Sequence, residues 1–332
     1  MWWLPLGARM EYTVVLSDHK TVDPAHQATI LEAAGASVEV LDDASERSVA
    51  AAAERADGLI VDAYTPVTEA VVADSGLTVV GRAGIGVDNI DVEAAADHGV
   101  TVVNVPHYCL DEVATHALAL LLACVRAVPQ HDRAVRSGEW DWRSQQPLYR
   151  MDGRTLGLVG FGSIARRLAA KLRTFGVDVV ATDPHVSAAR MDDYGVETVA
   201  FEALLDRVDY LSVHVPLYEG SRHLLSTEEF RRLADHAVLV NTARGPVVDG
   251  AALAEALEAG ELARAGLDVL EAEPPAPEDP LLGREDVVVT PHTAWYSEES
   301  RADLSEGVAS DVAAVLRGET PEGVLDPDTP WL

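Results

Sequence analysis

The sequence has 332 residues, 48% of them apolar and 24% charged, a composition typical of a globular protein rather than a disordered one. A chain of this length usually forms more than one hydrophobic core, so we expect two domains. The formal net charge of -30 makes nucleic acid and anionic membranes unfavourable partners, and no apolar run is long enough to span a bilayer.

The acidic surplus comes with very little lysine. Lys20 and Lys171 are the only lysines among 25 basic residues, and the 55 acidic residues are spread along the chain rather than gathered in a tail. At molar salt the Debye length shortens to about 3 Å, so repulsion between like charges fades. We therefore interpret the composition as halophilic, in preference to a merely acidic protein.

The N-terminal stretch "MWWLPLGARM" lacks a long apolar core and a small-residue cleavage site, so we do not interpret it as a signal peptide. Met10 is a second plausible start, which would make residues 1–9 an extension or a misassigned start. Cys109 and Cys124 allow one disulfide, but a reduced cytoplasm fits them better.

Short apolar strands alternate with alanine-rich amphipathic stretches in the first hundred residues. One helical stretch, "PAHQATILEAAG", is closed by Gly35. Repeated strand–helix units imply a parallel sheet. The predicted strands are 13–17, 38–41, 58–61, 77–81 and 100–105.

A long helix is predicted over 111–128, followed by an irregular arm that carries Trp140 and Trp142. Because the helix is apolar nearly all round, we expect it to be buried between layers or at an interface. A second alternating series begins at Thr155. Its predicted strands are 155–160, 177–183, 209–215, 237–242, 265–270 and 286–291.

The last predicted helix begins after Ser297 and ends near Arg317. It lies beyond the second series of strands and could pack back on the first domain. The first domain would then be discontinuous, formed by residues 1–106 and 297–332. The second domain, residues 107–296, would be inserted between them.

A glycine-rich turn follows the first strand of the second series, in "TLGLVGFGSIARRLAAKL". Gly160 permits a tight turn, Gly162 lets a pyrophosphate approach the backbone, and the small Ala165 lets the helix pack close to the strand. The helix N-terminus then faces the phosphates with free N–H groups. Strand, turn and helix together predict a dinucleotide site.

Asp183 ends the next predicted strand, twenty-one residues after Gly162. A carboxylate at this position can bind the ribose hydroxyls and would repel a 2′-phosphate, which favours NAD over NADP. His185 and the arginines nearby keep NADP open as the less favoured cofactor.

Four polar residues fall at the carboxyl ends of strands in the same predicted sheet, where ligands of open α/β sheets bind. An arginine such as Arg244 can hold a carboxylate through two parallel hydrogen bonds. A carboxylate beside a histidine favours the charged imidazole and fixes its orientation, as needed for a general acid and base. The four residues are Arg244, Asp268, Glu273 and His292.

A second glycine-rich loop, "GRAGIGVDNID", follows a strand of the first domain. Gly84 and Gly86 would leave backbone N–H groups free to form a concave anion site. His116 and Glu112 are one helical turn apart, but no set of metal ligands is complete, so we interpret them as a helix-face pair and predict no metal site.

Together these motifs resemble the D-2-hydroxyacid dehydrogenase family over about residues 13–317. The stretches "NTARG" and "PHTAWYSE" are similar in particular to the C-terminal binding protein branch, whose eukaryotic members are corepressors. The resemblance implies an α/β fold of two Rossmann-like domains with parallel sheets. One would be a flavodoxin-like substrate domain and the other an inserted NAD-binding Rossmann domain.

The resemblance also implies roles for individual residues. Arg244 would bind the substrate, His292 would deliver a proton to its carbonyl oxygen, and Glu273 would hold and charge His292. Further substrate contacts are implied for Arg82, Ile85, Gly86 and Trp295. Cofactor contacts are implied for Gly160, Gly162, Ser163, Ile164, Asp183, Val215, Pro216, Thr242, Ala243 and Asp268. The family pairs two subunits through the region that corresponds to residues 108–150.

The expected function is a cytoplasmic, NAD-dependent 2-keto acid reductase, in which hydride passes to C2 of a small acid. One alternative is D-3-phosphoglycerate dehydrogenase without a regulatory domain, which needs an added cationic site for the phosphate. No such cluster is visible near the motifs. A second alternative is an NAD-sensing, corepressor-like binding protein, which needs an apolar peptide groove on the first domain.

Overall fold

The computed structural model describes residues 11–17 and 21–329, so Met10 and Lys20 lie outside the described residues. The chain divides into two compact units. One comprises Met1–Tyr108 and Tyr296–Leu332, and the other comprises Cys109–Trp295. Each unit has its own parallel sheet.

Strands and helices alternate along most of the described residues. The strands are β1 (Tyr12–Leu16), β2 (Ala36–Val40), β3 (Gly58–Val61), β4 (Val79–Arg82), β5 (Thr101–Val103), β6 (Thr155–Val159), β7 (Asp178–Thr182), β8 (Glu197–Thr198), β9 (Tyr210–Val213), β10 (Val238–Asn241), β11 (Arg264–Leu267) and β12 (Val287–Val289). The α-helices are α1 (Pro24–Ala33), α2 (Glu46–Ala53), α3 (Glu69–Val72), α4 (Val92–Asp97), α5 (Leu110–Arg126), α6 (Val128–Arg136), α7 (Ser163–Leu172), α8 (Ala188–Asp192), α9 (Phe201–Leu205), α10 (Thr227–Phe230), α11 (Gly250–Ala259) and α12 (Glu298–Leu316).

The first unit is built on a five-stranded sheet in the order β2-β1-β3-β4-β5, with every neighbouring pair parallel. This is the order of flavodoxin-like doubly wound folds. Strands β3 and β4 are buried along their whole length, as expected for central strands covered on both faces. The sheet therefore has the predicted flavodoxin-like architecture.

Helix α12 packs against the first sheet although it is far away in sequence. A Cβ at Gly81 would lie 2.6 Å from Cγ2 of Val312 and 2.9 Å from Cγ2 of Val308, so only a residue without a side chain lets α12 lie this close to β4. Ser297 caps the helix by accepting a hydrogen bond from the backbone N–H of Ser300. The last helix thus completes one face of the first unit.

The second unit contains a seven-stranded parallel sheet in the order β12-β11-β10-β9-β6-β7-β8. Counted from β6, this is the Rossmann order with one further strand at its edge, which confirms the predicted fold class. Strand β8 was not predicted, because two exposed residues, Glu197 and Thr198, give no periodic apolar signal.

The long helix predicted over 111–128 is interrupted. Helix α5 ends at Arg126 because Ala127 adopts a left-handed conformation with φ of 49°, and α6 begins at the next residue. One face of α5 packs against α7, β10 and β11, whereas Thr115 and Ala119 on the other face are exposed. Within this chain α5 is therefore buried on one side, and burial of its other face at an interface stays a prediction.

Cys109 and Cys124 are both buried and unbonded to each other; they lie at opposite ends of α5. Burial raises the pKa of the Cys124 thiol to about 12. Across the described residues, no single helix is long and apolar enough to cross a bilayer. The pair formed by α5 and α6 would qualify by combined length and composition, but it is bent by 59°.

Candidate active site

The candidate site lies along the carboxyl edge of the seven-stranded sheet. Because all seven strands run parallel, the residues that follow them lie on one edge of the sheet. The ends of β6, β9, β10, β11 and β12 lie side by side, as shown by the paired registers Val159↔Val213, Asn241↔Val213, Asn241↔Leu267 and Leu267↔Val289. The predicted cofactor and catalytic residues of this unit therefore lie at or near the same edge.

Glu273 and His292 are in direct contact. The Oε2 atom of Glu273 lies 2.6 Å from Nδ1 of His292, and its Oε1 accepts a hydrogen bond from the backbone N–H of Leu270 at 3.1 Å. Both side chains are about one-fifth exposed, so the pair is shielded but reachable. The carboxylate fixes the plane of the imidazole ring.

The backbone at His292 is held in an uncommon conformation. His292 has φ of 49°, which a non-glycine residue rarely adopts. Its N–H donates to the carbonyl oxygens of Asp268 at 2.8 Å and Thr290 at 3.0 Å. A tight turn after β12 thus directs the histidine, and such strain is found preferentially at functional sites.

The side chain of Asp268 holds this turn through hydrogen bonds. Its carboxylate is fully buried and accepts hydrogen bonds from the Thr290 hydroxyl at 2.6 Å and from the backbone N–H groups of Thr293 and Ala294, each at 2.9 Å. The Nε2 atom of His116 lies 3.5 Å from the same carboxylate. Asp268 therefore holds the turn, besides the cofactor contact implied for it.

His116, which its spacing from Glu112 predicts to be a helix-face residue, also contacts a neighbouring turn. Its Nε2 lies 2.9 Å from the Thr290 hydroxyl, under the turn after β12. Sequence reasoning also missed Thr290, whose position two residues before His292 was the only available signal. Among the described residues, no group of three or more His, Cys, Asp or Glu side chains has the geometry to hold a metal ion.

Arg244 follows β10 and starts a short 3-10 turn, Gly245–Val247. The buried Asn241 side chain shapes this bend, because it donates to the Arg244 carbonyl and accepts from the Ala243 N–H. A Cβ at Gly245 would lie 1.9 Å from the Leu270 carbonyl oxygen, so the two loops pack backbone against backbone. The loop after Arg244 thus lies against the loop that leads to Glu273. Asn241 is a second residue that sequence reasoning missed.

The turn after β6 has the geometry of a phosphate-binding turn. Gly160 has φ of 91°, and a Cβ there would lie 2.6 Å from the carbonyl oxygen of His214, so only glycine fits. Gly162 caps the amino end of α7, and a Cβ there would meet nothing within 4 Å. Ser163 and Ile164 open the helix, and Ala165 is fully buried beneath it.

Asp183 lies beside this turn. Its carboxylate accepts hydrogen bonds from the backbone N–H groups of Phe161 and His185, both at 2.8 Å, so its orientation is fixed. Further along the edge, the buried Thr242 hydroxyl has no hydrogen-bond partner among the described residues. An open space at Gly162, an oriented carboxylate and an unpaired hydroxyl fit a dinucleotide lying along the edge.

His214 supports the turn from the neighbouring strand. Its Nε2 lies 2.8 Å from the Ser212 hydroxyl, and burial lowers the pKa of its imidazole to about 4. His214 is therefore neutral at physiological pH. Val215 and Pro216, both predicted to contact the cofactor, continue the chain from it; Val215 is part-buried and Pro216 is exposed.

The predicted anion-binding loop belongs to the first unit. Arg82 is buried at the end of β4 and donates through Nη1 to the Ala83 carbonyl. Gly84 has φ of 148°, and a Cβ there would overlap Nη1 of Arg82, so glycine is required. Asn104, which sequence reasoning missed, donates to the Ile85 carbonyl at 2.6 Å and fixes the loop ahead of Gly86.

Trp295, also predicted to contact the substrate, is the last residue of the second unit. It is part-buried and directly follows Ala294, whose N–H donates to Asp268. The turn that carries His292 therefore also fixes the backbone that leads to Trp295.

Residues 118–294 match a sequence model described as D-isomer specific 2-hydroxyacid dehydrogenase, NAD binding domain. This match confirms NAD as the cofactor and the prediction of an NAD-binding domain. The match begins within α5 and ends at Ala294, so it includes every predicted cofactor-binding residue as well as Arg244, Glu273 and His292.

The chain is similar to two kinds of archaeal enzyme. It is 38% identical over 285 residues to the D-3-phosphoglycerate dehydrogenase of Archaeoglobus fulgidus, covering 86% of this chain and 54% of the relative. It is 42% identical over 257 residues to the glyoxylate reductase of Korarchaeum cryptofilum, covering 75% of this chain and 76% of the relative. The chain thus spans a little over half the length of the archaeal phosphoglycerate dehydrogenase that it matches.

A solved structure with the same fold is the D-lactate dehydrogenase of Aquifex aeolicus in complex with NAD and lactic acid. It superposes with a TM-score of 0.84 at 26% sequence identity, covering 92% of this chain and 96% of that chain. The similarity in fold therefore extends over both units.

Proposed function

Because this chain belongs to the D-isomer specific 2-hydroxyacid dehydrogenase family, we propose that it is an NAD-dependent reductase of a small 2-keto acid. The product would be the D-2-hydroxy acid, and the same site would catalyse the reverse oxidation. The observation that carries this proposal is the 2.6 Å contact between Glu273 and His292 on the sheet edge that also bears the phosphate-binding turn. An oriented acid–base pair beside a dinucleotide site is what hydride transfer to a carbonyl requires.

When NADH is bound, it supplies the hydride that is added to C2 of the keto acid. Gly162 and the amino end of α7 would accommodate the pyrophosphate, and Asp183 would accept hydrogen bonds from the ribose hydroxyls. A 2′-phosphate would meet the charge of Asp183, so the carboxylate favours NAD over NADP. Thr242, Ala243, Val215 and Pro216 would line the nicotinamide side.

His292 would act as the general acid in reduction. Glu273 engages Nδ1, so Nε2 is the atom that would deliver a proton to the carbonyl oxygen as the hydride reaches C2. Glu273 orients the ring for this transfer through its contact with Nδ1. In the oxidation direction, the neutral ring would accept the same proton.

Arg244 would hold the substrate through its carboxylate and carbonyl oxygens, because a guanidinium can make two parallel hydrogen bonds. We assign further binding roles to three residues of the first-unit loop, the guanidinium of Arg82 and the backbone N–H groups of Ile85 and Gly86, because all of these are hydrogen-bond donors suited to an anion. Trp295 would contact the substrate side chain. Fixed donors of this kind orient the acid and stabilise developing charge.

The test is turnover of NADH with a panel of 2-keto acids in molar KCl. The panel contains glyoxylate, hydroxypyruvate, branched 2-keto acids and 3-phosphohydroxypyruvate. We expect at least one non-phosphorylated acid to be reduced, and His292→Ala to lower kcat by at least about 100-fold. Unchanged turnover in His292→Ala would refute the role assigned to this residue.

D-3-phosphoglycerate dehydrogenase is the second candidate activity, because the chain is 38% identical to enzymes with that name. The substrate panel separates the two. A preference for 3-phosphohydroxypyruvate of tenfold or more in kcat/KM would favour this alternative, whereas comparable rates with glyoxylate and the phosphorylated acid would favour the general reductase.

We further propose a homodimer formed through residues 108–150. Five large apolar side chains in this region are exposed in the single chain, with Trp140 at 89% and Trp142 at 76%; the others are Val128, Val135 and Tyr149. Clustered exposed apolar residues mark protein–protein interfaces. Light scattering should give twice the 35.5 kDa chain mass, and Trp140→Asp with Trp142→Asp should shift it toward the monomer.

Adaptation to high salt in a cytoplasmic setting is proposed from the net charge of -30. Self-repulsion of so many carboxylates is screened only when the Debye length is short. The thermal midpoint should therefore rise steeply between 0.1 M and 2 M KCl. A midpoint that stays constant across this range would contradict the proposal.

A further inference from the structure

His116 lies beneath the turn that carries His292, although it is far from the predicted site residues in sequence. Its Nε2 is 2.9 Å from the Thr290 hydroxyl and 3.5 Å from Oδ1 of Asp268. Helix α5 supplies His116, whereas Thr290 and Asp268 follow β12 and β11. A helix and the ends of two strands therefore meet at this part-buried polar contact.

The number of protons on the Thr290 hydroxyl determines which atom is the donor in its hydrogen bond with His116. The Thr290 hydroxyl has a single proton, and it donates that proton to Asp268 at 2.6 Å. The hydroxyl oxygen can then only accept a hydrogen bond from His116. The Nε2 atom of His116 must therefore carry a proton and act as the donor, whether or not the ring is charged.

Asp268 links the contact between His116 and Thr290 to the turn that carries His292. The Asp268 carboxylate accepts the N–H groups of Thr293 and Ala294, and the Asp268 carbonyl accepts the N–H of His292 at 2.8 Å. These bonds hold the turn in which His292 has φ of 49° and contacts Glu273. The orientation of one buried carboxylate therefore sets the position of the acid–base residue.

We propose that His116 is a positioning residue for the dehydrogenase reaction: by donating to Thr290, it directs the Thr290 proton onto Asp268 and so fixes the turn that presents His292. The predicted changes in kcat rest on the proposed function, whereas the positioning of His292 by His116 does not. His116 touches neither substrate nor cofactor in this role and exchanges no proton during turnover. What it contributes is one N–H donor at a fixed place.

A matched pair of substitutions tests the need for that donor. Gln and Met have similar length and helix propensity, but only Gln can donate a hydrogen bond. We expect His116→Met to lower kcat about tenfold, with KM for NADH and for the keto acid changed less than threefold. We expect His116→Gln to keep kcat within about threefold of the wild type.

The same pair separates positioning from packing. If His116 only fills space, the two variants should lose activity to a similar degree, in proportion to their loss of thermal stability. That result, or wild-type kcat in both variants, would overturn the proposal.

A double-mutant cycle tests the route through Thr290. Thr290→Val removes the hydroxyl that links His116 to Asp268. If His116 acts through this hydroxyl, His116→Met should cost less than about twofold in the Thr290→Val background, although it costs about tenfold in the wild type. Multiplicative losses in the double variant would show that His116 acts by another route and would overturn the proposal.

Nuclear magnetic resonance of the histidine rings provides a readout that needs no turnover. The His292 signals are those lost in His292→Ala, and they should shift in His116→Met but stay near their wild-type positions in His116→Gln. Unmoved His292 signals in the Met variant would overturn the positioning role. If the wild type reduced no 2-keto acid while these signals shifted, the proposed function would fail and the positioning role would stand.

Discussion

The carboxylate of Glu273 lies 2.6 Å from Nδ1 of His292, although nineteen residues separate them in sequence. Glu273 is held in turn by the backbone N–H of Leu270, and His292 by the carbonyl oxygens of Asp268 and Thr290. Each partner is thus fixed by backbone as well as by the other side chain. This relationship makes the pair a preoriented proton donor and acceptor, and its consequences can be measured.

Replacing Glu273 by Gln should lower kcat for reduction by about 10- to 100-fold, because an amide keeps the shape of the side chain but loses the negative charge that lies 2.6 Å from the imidazole ring. The measurement is kcat with NADH and the best keto acid.

The matched control is Glu271→Gln in the same loop, where the carboxylate contacts His223 at 2.7 Å instead of His292. That variant should keep kcat within about twofold of the wild type. An equal loss of kcat in both variants would mean that the loop, not the Glu273 charge, controls the rate.

Gly160 and Gly162 should respond to alanine in opposite ways. At Gly160 the φ of 91° and the 2.6 Å approach to the His214 carbonyl make alanine strained, so Gly160→Ala should destabilise the protein by about 1–3 kcal/mol. At Gly162 a Cβ meets nothing, so stability should be unchanged.

Gly162→Ala should instead weaken NADH binding roughly tenfold, because its Cβ would fill space needed by the pyrophosphate. Thermal melts without cofactor and NADH titrations separate the two effects. Equal melting temperatures for both variants would contradict the prediction for Gly160, and unchanged NADH affinity in Gly162→Ala would contradict the predicted pyrophosphate position.

Asp183→Asn should alter the choice of cofactor. The amide keeps one acceptor for the backbone N–H groups of Phe161 and His185 but loses the charge that would repel a 2′-phosphate. We expect kcat/KM for NADH to fall about tenfold and the ratio of NADPH to NADH efficiency to rise by at least that factor. Steady-state kinetics with both cofactors give the ratio. An unchanged ratio would exclude Asp183 as the residue that distinguishes the ribose hydroxyls of NADH from the 2′-phosphate of NADPH.

His214 should make the protein sensitive to acid. Its pKa is lowered from 6.5 in the unfolded chain to about 4 in the fold, so the unfolded state binds more protons between these values. The contribution of His214 to the free energy of unfolding is therefore greatest above pH 6.5 and falls as the pH is lowered towards 4. Between these values the free energy of unfolding falls by at most about 1.4 kcal/mol per pH unit because of this one residue.

Urea unfolding at pH 7.0, 5.5 and 4.5 measures this dependence. His214→Gln can still contact Ser212 but does not titrate, so the stability of that variant should fall less steeply over the same range. Parallel slopes for the two proteins would assign the acid sensitivity to other groups.

Much of the fold followed from local pattern. Strands such as Gly58–Val61 and Thr155–Val159 are short apolar runs bounded by turn residues, so their positions were predicted to within about two residues. The helix ending at Arg126 was predicted too long because Ala127 adopts a left-handed conformation that alanine does not signal. Strand Glu197–Thr198 was not predicted, because its two polar residues form a strand only through pairing with Val180 and Ala181.

The amino-acid sequence by itself determined the two series of strand–helix units, the glycine-rich turn at Gly160 and the positions of Arg244, Glu273 and His292 after strands, because propensity and spacing are local properties of a chain. Only the tertiary structure decided that His116, Thr290 and Asp268 form one hydrogen-bonded support beneath His292. Those residues are 22 to 174 positions apart, and no local pattern encodes such a contact. It exists because parallel strands bring their carboxyl ends to one edge and α5 packs beneath them, so distance in sequence ceases to matter.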